Sequence, residues 1–268
     1  MKRCALTYSK NEWVPWREED AIRHTYDDST RSEWSLIKQQ EIIEFSSDCE
    51  SVELRFQPQV LDLDLSDLKS CKKLQNLTIE SCNLTEIDLS PLKMHPSLAS
   101  LDLRFNRLDR IDLKPIENCP KLKHINLDMN HLTEIDLVGL PSLETLHLGS
   151  NKLSTINLKS LSKSPHLTFL NIAHNRLQKI SLTSLSHCLY LRDLTLESNL
   201  LERINLSPLS DCKKIRLLNL SKNRLRTINL APLRNCIELE TLDIAHNDIK
   251  SINLTPLKNI EHLIDIIR

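Results

Sequence analysis

Leucine and isoleucine recur at fixed positions through most of this 268-residue chain. Residues 167–185 show the frame, L-x-x-L-x-L-x-x-N-x-L-x-x-I-x-L-x-x-L, with Asn175 at its centre. Aligning the other copies on that central position gives this row: Cys82, Asn106, Asn130, Asn151, Asn175, Asn199, Asn223 and Asn247. Successive copies are 24 residues apart, except that Asn130 and Asn151 are 21 apart. A repeat of this length over most of a chain indicates stacked copies of one structural unit.

The pattern inside each copy predicts one strand of a sheet. Apolar residues alternate in L-x-L, as they do in a strand with one face buried and the other in solvent. A single copy cannot bury its apolar face, so neighbouring copies must stack as coils around a continuous core. Eight full coils fit between Leu74 and Ile260, after one degenerate coil and before a partial last strand. The sequence therefore predicts an elongated solenoid whose strands pair in parallel.

The remainder of each coil predicts a short helical turn on the outer side. Ser-Pro or Thr-Pro occupies one position in several coils, as at Ser90, Ser207 and Thr255. Serine or threonine at an N-cap followed by proline at the first helical position is a helix start signal. The 21-residue coil, between Leu132 and Pro141, lacks three residues in this segment, which predicts a tighter outer turn.

The central asparagine of each copy is predicted to be architectural. It follows the strand, where the chain turns and where its amide can satisfy backbone groups that would otherwise be buried without partners. Cys82 takes its place once.

These residues resemble the leucine-rich repeat family, whose signature is L-x-x-L-x-L-x-x-N/C-x-L. The resemblance covers roughly residues 50–268 and is nearest to the short-repeat class of internalins and phosphatase-regulatory subunits. It implies an α/β fold, a right-handed, horseshoe-shaped solenoid with a parallel sheet on the concave face and short helical or 3-10 turns on the convex face. It also implies protein partners and a role without catalysis.

The first fifty residues differ from the rest and are assigned to a separate unit, 1–50, before the solenoid at 51–268. They contain all three tryptophans, Trp13, Trp16 and Trp34. Residues 31–45 contain good helix formers and neither glycine nor proline, which predicts a helix. The segment is either the cap that the end of a solenoid requires, or a docking element with Trp13 and Trp16 as anchors.

The solvent-facing positions of the strands vary where the core positions do not, and this variation indicates a binding surface. Phe105 and Met129 are neighbours in adjacent coils and suit an apolar anchor, while Arg104 could pair laterally with Asp128. The candidate concave site consists of Arg104, Phe105, Asp128, Met129, His147, Phe169, Asn171 and His174.

A second candidate surface follows the asparagines along one edge of the sheet. Arg107, Lys152, Arg176 and Arg224 form this basic rim, which could engage phosphate or an acidic partner, or simply face solvent. On the outer side, Asp64, Asp88, Asp112 and Asp136 align in successive coils. One carboxylate per coil is too few for calcium, so an acidic strip facing solvent is the simpler interpretation.

Composition excludes several classes of function. The net charge of −1 gives no general case for nucleic acid or membrane binding. Catalytic and metal-binding sequence motifs are lacking, so neither an enzyme nor a cofactor is expected. The chain has no signal-peptide core or membrane span, and its eight cysteines lack the paired terminal clusters of secreted relatives, which predicts a reduced, cytoplasmic protein.

Three functions remain open from the sequence. The first is a non-catalytic scaffold that binds an unknown protein on its concave face. The second is a binder of nucleic acid or of a phosphorylated or acidic ligand through the basic rim. The third is a structural module that associates weakly end to end, because the final LIDIIR would leave an unfinished coil.

Overall fold

The computed structural model describes residues 3–15 and 34–267. In this part of the chain the secondary structure consists of short strands and 3-10 turns. The strands are β1 Arg3–Pro15, β2 Trp34–Ser46, β3 Ser51–Arg55, β4 Val60–Asp64, β5 Asn76–Glu80, β6 Ser100–Asp102, β7 His124–Asn126, β8 Thr145–His147, β9 Phe169–Asn171, β10 Asp193–Thr195, β11 Leu217–Asn219, β12 Thr241–Asp243 and β13 Asp265–Ile267.

One parallel sheet runs the length of the solenoid, in the order β13-β12-β11-β10-β9-β8-β7-β6-β5-β3. Equivalent residues of successive coils are paired, so that Leu170 lies between Leu146 and Leu194. Each of these leucines is buried, because the strand alternation directs it into the core. The open, ten-stranded sheet confirms the predicted solenoid.

The return segments lie on the opposite side of the core and contain short 3-10 turns. These turns are Ser66–Ser70, Ser90–Leu92, Lys114–Ile116, Lys159–Lys163, Thr183–His187, Ser207–Leu209, Ala231–Asn235 and Thr255–Leu257. Among the described coils, the 21-residue one has no such turn between β7 and β8. Three residues fewer leave no room for it, in agreement with the predicted tightening.

The start of each 3-10 turn differs from the expectation. Serine or threonine does not act as the N-cap: Leu89 holds that position before Ser90–Leu92 and makes no side-chain hydrogen bond there. Instead Asp88 Oδ1 accepts a hydrogen bond of 2.8 Å from the backbone N–H of Ser90. The cap therefore comes from the residue two places before the turn.

The N-terminal segment is also different from the prediction. Residues 34–46 form strand β2, not a helix, and β2 pairs antiparallel with β1 along its full length. Strand β1 also pairs with β4, giving a separate three-stranded sheet. Continuous pairing with a distant strand overrode the helix propensity of the segment, which is a weak preference. Trp16 and residues 17–33 lie outside the described residues, so a docking role for Trp13 and Trp16 remains a prediction.

Strand β1 contacts the core of the first coil. Leu6 is completely buried and belongs to the same apolar cluster as Val60, Leu65 and Leu68. This contact covers apolar surface at the first coil, where a solenoid otherwise exposes its core. The division of the chain at residue 50 remains a prediction, since β4 lies beyond it and still joins the N-terminal sheet.

Candidate binding surface

The residue that precedes each central asparagine has a left-handed backbone. These residues are Ser81, Phe105, Met129, Ser150, His174, Ser198, Lys222 and His246, here called the left-handed row, and their φ values lie between 52° and 57°. Glycine is the residue that adopts this conformation without a steric penalty, yet none of these positions is glycine. Every coil therefore presents a side chain at this point despite a backbone cost of about 1 kcal/mol.

The central asparagines hold this bend in place. In the coil of His174, Asn175 Oδ1 accepts a hydrogen bond from the N–H of Leu153 at 2.9 Å. Its Nδ2 donates to the carbonyl oxygens of Leu148, Ile172 and Ala173. The same contacts recur at Asn106, Asn130, Asn151, Asn199, Asn223 and Asn247. This asparagine row thus joins each coil to the one before it and satisfies buried backbone groups in both.

The eight candidate residues of the concave site lie together. Seven of them line one depression of about 370 Å³, which spans four coils: Arg104, Phe105, Asp128, Met129, His147, Asn171 and His174. The eighth, Phe169, stacks against the His147 ring with centroids 4.5 Å apart and planes at 23°. Phe105 and Met129 are each 46% exposed and stand at its edge.

The floor of the depression is a connected polar group. The carboxylate of Asp128 accepts a hydrogen bond from the N–H of Gly149 and lies 3.4 Å from both Asn171 Nδ2 and His147 Nδ1. A Cβ atom at position 149 would lie 2.6 Å from Asn171 Nδ2, so glycine allows this close approach. Sequence reasoning missed Gly149, although glycine is rare enough here to have marked the position: the chain has two.

Arg104 is not paired with Asp128, contrary to the prediction. Its guanidinium lies 3.2 Å from Glu80 and 3.4 Å from Asp102, which places it against the preceding coil. Arg55 also contacts Glu80, whose side chain is nearly buried. Burial raises the pKa of Asp102, against the opposing effect of Arg104. Glu80 draws the guanidinium because it is the more enclosed carboxylate, while Asp128 is already bonded within its own group.

The basic rim runs beside the left-handed row, on the other side of the asparagines. Arg107, Arg176 and Arg224 are exposed and Lys152 is half-buried. In the part of the chain that the structure describes, none of the four forms an ion pair. By contrast, Lys222 of the left-handed row lies 2.7 Å from Glu197, and this contact lowers the pKa of that carboxyl.

The aspartates of the outer side are structural caps. Asp64, Asp88 and Asp112 accept hydrogen bonds from the backbone N–H two residues later, and Asn157, Asn205, Asn229 and Asn253 do the same in later coils. Hydrogen bonds from Ser90 lower the pKa of Asp88, and those from Ser66 lower that of Asp64. Asp136 belongs to the coil without a 3-10 turn.

A second buried row lies near the outer turns, here called the thiol row. It comprises Cys71, His95, Cys119, Ser164, Cys188, Cys212 and Cys236, all buried. The Sγ of Cys212 donates to the carbonyl of Leu185 at 3.4 Å. Burial raises the pKa of Cys188 and Cys236 to about 12 and that of Cys212 to about 11, so these thiols are protonated and unreactive near neutral pH. Sequence reasoning missed His95, whose spacing of 24 residues from Cys71 and Cys119 identifies it.

The described residues do not suggest other chemistry. Within residues 3–15 and 34–267, no cluster of three or more histidine, cysteine, aspartate or glutamate side chains could hold a metal ion. Over the same residues, no helix is long and apolar enough to cross a membrane. What the geometry offers is a broad concave surface with one apolar and polar depression and one basic edge.

Known structures share this architecture. A leucine-rich repeat protein from Leptospira interrogans is similar with a TM-score of 0.62 and 21% identity, over 75% of this chain and 56% of that one. Toll, in the Toll–Spatzle complex of Drosophila, gives a TM-score of 0.70 and 17% identity over 81% and 29% of the two chains. TLR13, in its complex with ssRNA13, gives 0.68 and 22% over 80% and 31%.

These similarities establish the fold and nothing finer. The chain spans between 29% and 56% of the length of those three proteins. No curated protein matches the chain in sequence. A family model, however, matches repeatedly and almost without interruption: the leucine rich repeat model covers residues 72–132, 96–153, 137–177, 165–225 and 190–249. With that match over more than half of its length, this chain belongs to the leucine-rich repeat family.

Proposed function

We propose that this chain is a non-catalytic scaffold that binds a partner protein on its concave face, centred on the depression between Phe105 and His174. The observation that carries the proposal is the gathering of all eight candidate residues at one place. Proteins of this family are generally interaction modules, and Toll, which shares the fold, was solved in complex with Spatzle. That neighbour supports the kind of function, not the identity of a partner.

The depression suits a side chain of a partner. Phe105 and Met129 form an exposed apolar edge, and the neighbouring Asp128 group is polar and already bonded internally. A partner can therefore cover the apolar edge without stripping solvent from an unpaired carboxylate. Such a central apolar contact with a polar surround is the usual arrangement of a binding hot spot.

Affinity capture from the native lysate tests the proposal. The bait is the wild-type chain or the double variant Phe105→Ala, Met129→Ala, which should lose about tenfold or more in affinity for a concave-face partner. The matched control is Met94→Ala, Ile237→Ala. Both control residues are exposed and apolar, lie next to outer turns, and Met94 has the same left-handed backbone as Met129. Identical partner profiles for the wild type and the concave variant would contradict the proposal.

We also propose that the chain works in a reducing compartment such as the cytoplasm. All seven cysteines whose side chains the structure describes are free thiols, which is consistent with this location. End-to-end association stays a prediction. Its support is strand β13 at the edge of the sheet, where Ile264 and Ile267 are exposed. Light scattering over a concentration series tests it, and a monomer at the highest concentration would contradict it.

A further inference from the structure

The left-handed row and the basic rim form one surface. They flank the buried asparagines in every coil, so each coil contributes two neighbouring side chains to the same edge of the sheet. From the second coil onward the pairs are Phe105 with Arg107, Met129 with His131, Ser150 with Lys152, His174 with Arg176, Ser198 with Leu200, and Lys222 with Arg224. We call this surface the asparagine edge.

The charge on the asparagine edge has one sign. Among these twelve positions there is no acidic residue, whereas five are lysine or arginine. Within the described residues, four of those five have no ion-pair partner, and the fifth is Lys222, which contacts Glu197. This arrangement is unlike that of Arg104, whose charge is met by Glu80 and Asp102. Uncompensated charge on one edge gives a directional potential although the whole chain is nearly neutral.

The edge also changes character along the solenoid axis. The coils of Phe105 and Met129 present large apolar groups, both 46% exposed. The coils that follow present a hydroxyl at Ser150, then exposed cations at His174 and Arg176 and again at Arg224. An apolar site is therefore followed by a cationic one, in a line across the strands.

We propose that the asparagine edge binds an extended, acidic segment of a partner protein that lies along the solenoid axis. An apolar residue of the segment packs on Phe105 and Met129, and its carboxylates face Arg176 and Arg224. This proposal rests on the concave-face binding proposed above and specifies the chemistry of the partner. It unites the apolar anchor and the basic rim in one site.

Coil spacing sets the register of that segment. Parallel strands lie about 4.8 Å apart, so the two coils from Met129 to Arg176 span about 10 Å. An extended chain covers about 3.3 Å per residue. The carboxylate should therefore lie about three residues from the apolar residue, and a second one about three residues further, opposite Arg224.

Fluorescence anisotropy with synthetic peptides tests this register. The probe is a fluorescein-labelled peptide in a Gly/Ser background, with leucine at its third residue and glutamate at its sixth and ninth. One control peptide has glutamine in place of both glutamates, and another has the glutamates moved next to the leucine. We expect the spaced acidic peptide to bind about tenfold more tightly than the glutamine peptide, and less so as salt is raised.

Charge reversal supplies the matched protein variants. Arg176→Glu should weaken the acidic peptide about fivefold or more and should bind better a peptide with lysine in place of both glutamates. Arg234→Glu makes the same change of net charge on the outer turn Ala231–Asn235 and should leave both affinities unchanged. Recovery by the lysine peptide separates a local contact from misfolding, because a misfolded variant would bind neither peptide.

Several results would overturn the proposal. Equal affinity for the glutamate and glutamine peptides, equal effects of Arg176→Glu and Arg234→Glu, or no binding of any peptide would each contradict it. A uridine oligonucleotide that binds more tightly than the acidic peptide and displaces it would indicate nucleic acid instead. If these tests fail while Phe105→Ala, Met129→Ala still removes a captured protein, the concave-face function stands and the acidic partner does not.

Discussion

The asparagine row and the thiol row meet the same need in different ways. Both lie buried where the chain turns, one at the end of the strands and one near the outer turns. Asn175 accepts one backbone hydrogen bond and donates to three carbonyl oxygens. Cys212 donates from Sγ to the carbonyl of Leu185 at 3.4 Å, and a thiol is a weak donor. The asparagine row therefore fastens consecutive coils, while the thiol row mainly fills space.

This difference explains which residues each row contains. The thiol row includes Ser164, which donates to Leu140, and His95, which contacts the carbonyl of Cys71, because a single donor is enough there. The asparagine row requires an acceptor as well, and only Cys82 departs from it. At Cys82 the acceptor is not needed: the N–H of Val60, equivalent to that of Leu153, is already bonded to Gln57.

The largest expected effect comes from breaking the asparagine row. Asn175→Ala should lower the free energy of unfolding by about 3 kcal/mol or more, because it leaves several buried backbone groups without partners. Urea denaturation followed by circular dichroism measures this loss. Asn157→Ala is the matched control, since Asn157 is exposed and caps one outer turn, and it should cost about 1 kcal/mol. Equal losses in the two variants would contradict the distinction between fastening and capping.

His95 allows the thiol row to be tested through pH. Burial lowers the pKa of His95, and its Nδ1 has no hydrogen-bond partner among the described residues. The folded state therefore holds the ring neutral, whereas the unfolded chain takes up a proton below about pH 6.5. Stability from this group is complete above that pH and falls as the pH decreases.

We expect His95→Cys, which continues the row between Cys71 and Cys119, to remove part of that acid sensitivity. The variant should gain about 1 kcal/mol relative to the wild type at pH 5 compared with pH 7.5. Urea denaturation at both pH values measures the difference. His187→Cys changes an exposed histidine and should leave the pH dependence as it is. A parallel pH profile for His95→Cys and the wild type would refute this account of the buried ring.

The smallest effect sharpens the comparison within the thiol row. Cys212→Ser should change the free energy of unfolding by less than about 1 kcal/mol, because Ser164 already shows a hydroxyl bonded to a carbonyl in this row. The same urea experiment applies, with Asn175→Ala as the reference for a severe loss. A cost for Cys212→Ser near that of Asn175→Ala would mean that the thiol row also fastens the coils.

The solenoid was predictable because its information is local and repeated. Core positions, the asparagine row and the sheet all follow from a frame of 24 residues, and any one copy can be checked against seven others. The concave residues were predictable for the same reason, since position within the frame places Phe105 beside Met129 and Asp128 near Asn171. Gly149 and His95 were legible in the frame too, as a glycine and a buried histidine where other copies carry different residues.

What the frame does not contain could not be predicted from it. Strand β2 depends on β1, about thirty residues away, and no local pattern signals that pairing. The partner of Arg104 depends on the relative burial of Glu80, Asp102 and Asp128, which three similar sequence positions do not reveal. The turn caps were misassigned because Asp88 and Ser90 are both ordinary capping residues, and only the backbone geometry selects the aspartate.

The left-handed φ of the row that includes Phe105 and His174 has a consequence for variation. A side chain other than glycine meets much the same backbone penalty at these positions as the one already there, so exchanging serine for lysine or phenylalanine adds little conformational strain. The eight positions are thus free to change chemically while the coil beneath them keeps its shape. A library randomised at these positions alone would sample new specificities on an unchanged scaffold.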